Sequence, residues 1–92
     1  MSGIAMSVAR DGDLMSCGGV IKSSAMRTFV NGLLIIRLGD IFICNGVEGK
    51  ITGSALLTFA EGLPVARVGD SGFCPIHGNV TVDTGSPDTF AN

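Results

Sequence analysis

Tryptophan and tyrosine are missing from this chain of 92 residues, histidine occurs once, and Lys plus Arg number 6 against 8 Asp plus Glu. A nucleic-acid surface needs clustered cations and stacking rings. A net charge of −2, with five Phe as the only aromatics, excludes that class. Three cysteines cannot all pair within one chain, which excludes a complete disulfide framework. No unbroken apolar run exceeds the four residues of Leu33-Leu34-Ile35-Ile36, far short of a membrane-spanning helix. The opening residues MSGIAMSVAR hold no cationic stretch followed by a long apolar one, so no secretory signal is read there. Apolar residues are nonetheless abundant: they make up 46% of the chain, and mean hydropathy is +0.50. A domain this small buries only a modest core, so the surplus points to a protein partner rather than to a bilayer.

The lone histidine, His77, stands three positions after Cys74, and a closed tetrahedral metal site needs two more ligands than this pair supplies. They emerge when the chain is aligned with itself. ARDGDLMSC (9–17), IRLGDIFIC (36–44) and ARVGDSGFC (66–74) share Arg-x-Gly-Asp, three residues and a Cys. A second pattern recurs between them, in SSAMRTFVNGLL (23–34), GSALLTFAEGLP (53–64) and GSPDTFAN (85–92). The chain is therefore one domain, residues 1–92, built as a three-fold internal repeat spanning approximately 3–22, 30–52 and 60–92.

The local readings are all β. Thr28-Phe29-Val30, Asn31-Gly32 and Leu33-Leu34-Ile35 form a hairpin signal, because Asn-Gly suits a type I′ turn. Thr58-Phe59-Ala60, Glu61-Gly62 and Leu63-Pro64-Val65 are a weaker copy. Gly12-Asp13, Gly39-Asp40 and Gly69-Asp70 read as turns in which Gly takes positive φ and Asp bonds local backbone. The Arg/Asp pairs Arg10/Asp13, Arg37/Asp40 and Arg67/Asp70 are assigned to turn and rim structure, and Phe29, Phe59 and Phe90 to the core. The third repeat stops at Phe90-Ala91-Asn92, while GIAMSVAR (3–10) resembles the returning strands GLLIIR (32–37) and GLPVAR (62–67). The third hairpin is thus expected to be split between the chain ends, with Phe90 pairing near Ile4 to Val8 and closing the repeats into a ring without exposed edges.

Three equivalent cysteines around a pseudo-three-fold axis form the base of a tetrahedron, and His77 supplies the vertex. The expected ligand set is Cys17, Cys44, Cys74 and His77, with one zinc per chain favoured and iron the alternative. Four protein ligands leave no open position and no second histidine is present, so an enzyme is not expected. Paired Cys-x-x-Cys knuckles with a basic face are absent, which argues against a zinc ribbon, and equal spacing in repeats argues for ligands over redox sensing. Strand direction then sets the other end: with the cysteines at an apex, Ile4, Asn31, Leu33, Glu61, Leu63 and Asn92 lie around the opposite rim and form the candidate partner-binding surface.

These features resemble the PAAR-repeat family, the small conical tips of type VI secretion spikes and contractile phage tails. The family motif is matched by Pro64-Val65-Ala66-Arg67-x-Gly69-Asp70, Ser7-Val8-Ala9-Arg10-x-Gly12-Asp13 and Leu34-Ile35-Ile36-Arg37-x-Gly39-Asp40. The resemblance implies an all-β cone of three pseudo-three-fold hairpin repeats, closed by its terminal strands, with a metal near the apex. It further implies a structural role: capping and sharpening a trimeric β-helix spike protein (VgrG-like or a phage tail spike), one tip per trimer, with transient contact to a target membrane during puncture. Assembly in the bacterial cytoplasm before release in a secreted spike or virion tail follows from the same resemblance. The repeats fill residues 3–92, so a bare tip without an extension domain is expected. The alternative reading is a small zinc-stabilised protein-interaction module unrelated to injection.

Overall fold

The computed structural model describes residues 6–55 and 58–91, which form eleven short β-strands and no helix. Ile4 and Asn92, two of the expected rim residues, lie outside this range. Gly in αL conformation punctuates the chain and explains why no element grows long. In each Arg-x-Gly-Asp segment the Gly has φ near +90° (Gly12 90°, Gly39 90°, Gly69 92°), the third position of a type II turn. The Asp N–H donates to the Arg carbonyl, and the Asp carboxylate accepts the Arg N–H in return (2.7 Å for Asp13, 2.8 Å for Asp40 and Asp70). The turn assignment from sequence holds in all three repeats. Arg10 and Arg67 also pair with the carboxylates of Asp13 and Asp70. Arg37 instead donates to Ser24 Oγ and the Glu61 carbonyl.

Those turns flank the centre of the molecule. Ala9 N–H donates to Ala66 O, Ala66 N–H to Ile36 O, and Ile36 N–H to Ala9 O, at 2.9–3.0 Å. The three equivalent segments thereby close a cyclic ladder, with bridges Val8↔Arg67, Arg10↔Ile35 and Arg37↔Val65. Side chains alternate across an extended chain, so this triangle has two faces. Ala9, Ile36 and Ala66 point into one core with Met15, Ile21, Phe42, Cys44, Ile51, Cys74 and Val82. Val8, Ile35 and Val65 point into a second core with Ala25, Val30, Ala55, Ala60 and Ala91.

Around the first core runs a sheet of β2 (Val20–Lys22), β5 (Ile41–Cys44), β6 (Val47–Ile51), β9 (Ser71–Cys74) and β10 (Gly78–Thr81), ordered β10-β9-β6-β5-β2. Each returning strand pairs with the next repeat's rising strand: Ile21↔Phe42, Ile51↔Gly72, and, through an isolated bridge, Val82↔Met15. The last of these closes the sheet on itself and removes its edges. The axis is too narrow for three large residues. Met15, Phe42 and Gly72 occupy equivalent places, and a Cβ on Gly72 would lie 2.9 Å from both Met15 Cε and Phe42 Cε2.

Around the second core stand three two-stranded hairpins. β3 (Phe29–Val30) pairs with β4 (Leu33–Leu34), β7 (Phe59–Ala60) with β8 (Leu63–Pro64), and β1 (Met6–Ser7) with β11 (Phe90–Ala91). The third is the expected split hairpin, with Ser7 opposite Phe90, and it joins the two ends of the described chain.

Candidate metal centre and apolar rim

All three cysteines sit where a chain turns. Cys17 lies in the loop that Met15 N–H and Gly19 O close at 2.8 Å, with Gly18 at φ 87° completing the reversal. Cys44 ends β5 immediately before an Asn45-Gly46 turn whose φ values of 51° and 77° are those of type I′. That hairpin was not among the sequence expectations, although the same Asn-Gly signal precedes Leu33. Cys74 ends β9, and its turn is longer: Pro75-Ile76-His77, with Gly78 at φ 77° starting the return. The extra length folds His77 back over the cysteines.

The donor atoms of Cys17, Cys44, Cys74 and His77 all lie within 4.8 Å of one another. His77 Nδ1 is 3.4 Å from Cys44 Sγ and 3.6 Å from Cys74 Sγ. A tetrahedral ion with metal–sulfur bonds of about 2.3 Å and metal–nitrogen bonds of about 2.0 Å sets S···N separations near 3.5 Å, so the residues present fit one metal ion. Cys44 and Cys74 are buried, Cys17 is half-buried and His77 is exposed, so the cluster caps the first core with its histidine turned to solvent. The Cys44 thiol is pushed up to about 12, first by its hydrogen bond with the Cys17 side chain, then by burial and the neighbouring sulfurs. At Cys74 burial again opposes ionisation, but N–H donors of His77 and Ile76, with the His77 ring and the Cys44 thiol, outweigh it and bring the group down to about 7. A thiol held as high as that of Cys44 ionises readily only when a cation joins it, which is what a bound metal supplies.

The triangle separates this cluster from the second core and its hairpins, where Asn31, Leu33, Glu61 and Leu63 fall. Leu33 and Leu63 are exposed beside their turns, at 42% and 40% of full accessibility. Asn31 and Glu61 occupy type I′ positions with φ 53° and 49°, and their side chains reach sideways to neighbouring repeats. Asn31 donates to Asp88 (3.0 Å) and accepts from Ser86 Oγ (2.6 Å), while Glu61 accepts from the N–H groups of Met26, Arg27 and Thr28.

One assignment is overturned. Phe29, Phe59 and Phe90 are not core residues: they are 60%, 60% and 56% exposed. Val30, Ala60 and Ala91 take the inward positions, and strand alternation turns the preceding Phe outward. The second core is built from small and β-branched side chains: four alanines, three valines and an isoleucine. Full burial of a Phe side chain is worth about 1.5–3 kcal/mol, and rings left more than half exposed forgo a good part of that at three equivalent places.

No protein-family model and no curated protein matches the chain.

Proposed function

We propose that this protein is a PAAR-like spike tip: a zinc-stiffened, non-enzymatic cap for a trimeric β-helix, seated one per trimer to sharpen a contractile injection machine for membrane puncture. The observation that carries the proposal is the pseudo-three-fold set of exposed Phe29, Phe59 and Phe90, with Leu33 and Leu63, around the hairpins on the far side of the triangle from the Cys₃His cluster. A monomer with internal three-fold repetition presents the same apolar group three times, as the blunt end of a three-stranded helix requires. Exposed apolar groups in a symmetric array mark an interaction site. Cys₃His is a closed structural donor set for which zinc is the favoured ion, and at the opposite end it supplies rigidity that a small core lacks.

The test is co-purification with a trimeric β-helix spike protein. Phe29→Glu combined with Phe59→Glu should abolish capture of the trimer while metal content and thermal transition stay unchanged, because both side chains already point away from the core. Normal binding by the double variant, or loss of binding only on changes around His77, would overturn the reading.

A further inference from the structure

Asn-Gly occurs twice in the chain, at Asn31-Gly32 and at Asn45-Gly46. Asparagine before glycine is the pair most open to self-modification, because no side chain on the second residue hinders the approach of its nitrogen. The Gly nitrogen attacks the Asn Cγ and expels ammonia, leaving a succinimide. Water then opens that ring at either carbonyl and gives Asp or isoaspartate. The net change is one water gained and one ammonia lost, with no other reactant.

The two copies share one backbone. Asn31 and Gly32 have φ 53° and 80°, Asn45 and Gly46 have φ 51° and 77°, and both pairs sit exposed at type I′ hairpin turns. Any opening of the main chain that the attack requires is therefore common to both. Their side chains differ. The Asn31 amide is held at both ends: Oδ1 accepts from Ser86 Oγ (2.6 Å) and from the Arg10 guanidinium (3.3 Å), and Nδ2 donates to the Asp88 carboxylate (3.0 Å). The Asn45 side chain makes no hydrogen bond among the described residues, so its Cγ can swing toward the Gly46 nitrogen without breaking one.

Modification of Asn45 also has a consequence that modification of Asn31 lacks. Asn45 follows Cys44 directly, and the Cys44↔Val47 pair closes its two-residue turn. Isoaspartate routes the main chain through the side-chain carbon and lengthens it by one atom, which a turn of that fixed length does not accommodate. The displacement falls on Cys44, whose Sγ lies 3.4 Å from His77 Nδ1 within the cluster. We infer that Asn45 is a spontaneous deamidation site, that its side-chain bonds protect Asn31, and that isoaspartate at position 45 loosens the metal centre. The inference does not rest on the spike-tip role, because the Asn45 turn lies on the cysteine side of the triangle, away from the rim. Only its last clause rests on the cluster holding a metal.

The experiment ages zinc-loaded protein in mildly alkaline buffer at physiological temperature and maps it by proteolysis and mass spectrometry. Asn45 should gain the mass of amide-to-acid conversion, partly as isoaspartate, while Asn31 reacts at least about ten-fold more slowly because a charged acceptor holds it. Asp88→Ala, at an exposed position, should raise the Asn31 rate about ten-fold while Asn45 keeps its own. Ser86→Ala should raise it too, and Ala is accommodated there: Ser86 N–H donates to Val8 O just as Ala55 N–H donates to Val65 O in the preceding repeat. The isoaspartyl fraction should release zinc to a chelator at least about ten-fold faster than Asn45→Asp, which carries the same charge without the added backbone atom. An unmodified Asn45, or equal rates at the two sites in the parent, overturns the inference. So does an Asn31 rate that neither variant raises, or that rises only together with that of Asn45. Equal zinc release by the isoaspartyl and Asp forms overturns the last clause, as does protein that takes up no zinc. None of these outcomes touches spike capture by the rim.

Discussion

Glu61 adopts a left-handed backbone conformation, φ 49°, that costs a residue with a Cβ about 1–2 kcal/mol. Its carboxylate offsets that cost by accepting the N–H groups of Met26, Arg27 and Thr28, at 2.9–3.2 Å. Those bonds hold its pKa down to about 2 from an ordinary 4.5. A depressed folded-state pKa means that the contribution is complete above 4.5 and disappears as pH falls through about 2. Glu61→Gln should therefore be less stable than the parent at neutral pH, and the gap should close between pH 4.5 and about 2. Urea unfolding at a series of pH values checks this, and a gap independent of pH would show that the carboxylate charge plays no part. Asn31, the equivalent residue, donates its amide to Asp88 and is the first cause of that carboxylate's lowered pKa, so Asn31→Ala should also be less stable at neutral pH, with a gap that narrows as acid protonates Asp88.

At the scale of the element, no strand among the described residues is longer than five residues, and the two continuous rim hairpins have two residues a side. A two-stranded ribbon of that length is not stable alone. It persists because the triangle of Ala9, Ile36 and Ala66 holds each hairpin against the second core. β1 and β11 belong to no continuous hairpin and rely entirely on this arrangement. Truncation from Phe90 onward removes β11, uncovers the edge of β1 and exposes Val8 and Val65. The expected result is global: amide protection should fall at Phe42 and Cys44 on the far side of the triangle as well as at Met6 and Ser7. Loss confined to residues near Ser7 would mean that the ring does not act as one unit.

For the whole molecule, a chain of 92 residues with two small cores has little stability to spare. The Cys₃His cluster joins the tips of all three repeats at one point, so the free energy of a metal bound there would enter directly as folding free energy. Purified protein should carry about one zinc per chain. Chelation should lower the melting temperature by well over 10 °C, since even a few kcal/mol shifts a domain of this size by about 4–8 °C per kcal/mol. Cys44→Ser should do the same without chelator, because it leaves a buried site with three ligands. Mass spectrometry under native conditions, paired with calorimetry, measures both. Unchanged melting of fully metal-free protein would reduce the cluster to a set of packed thiols.

The internal repeat, the Arg-x-Gly-Asp turns, the split third hairpin and the convergence of Cys17, Cys44, Cys74 and His77 were all legible in the residue order. Each rests on a residue type that tolerates few substitutes: Gly for positive φ, Asp for the turn carboxylate, Cys for a ligand. Equivalence between repeats then carried information over long range that local propensity lacks. Which way the phenylalanines face was decided only by tertiary structure. A strand of two residues holds too little alternation to tell inside from outside, and it is the meeting of three hairpins around the second core that turns Val30, Ala60 and Ala91 inward and the preceding Phe outward. The same holds for the axis, where Met15 and Phe42 fill the space that a side chain at position 72 would need. Those outcomes depend on how three unequal copies share one axis, and that volume constraint has no expression in any one copy's sequence.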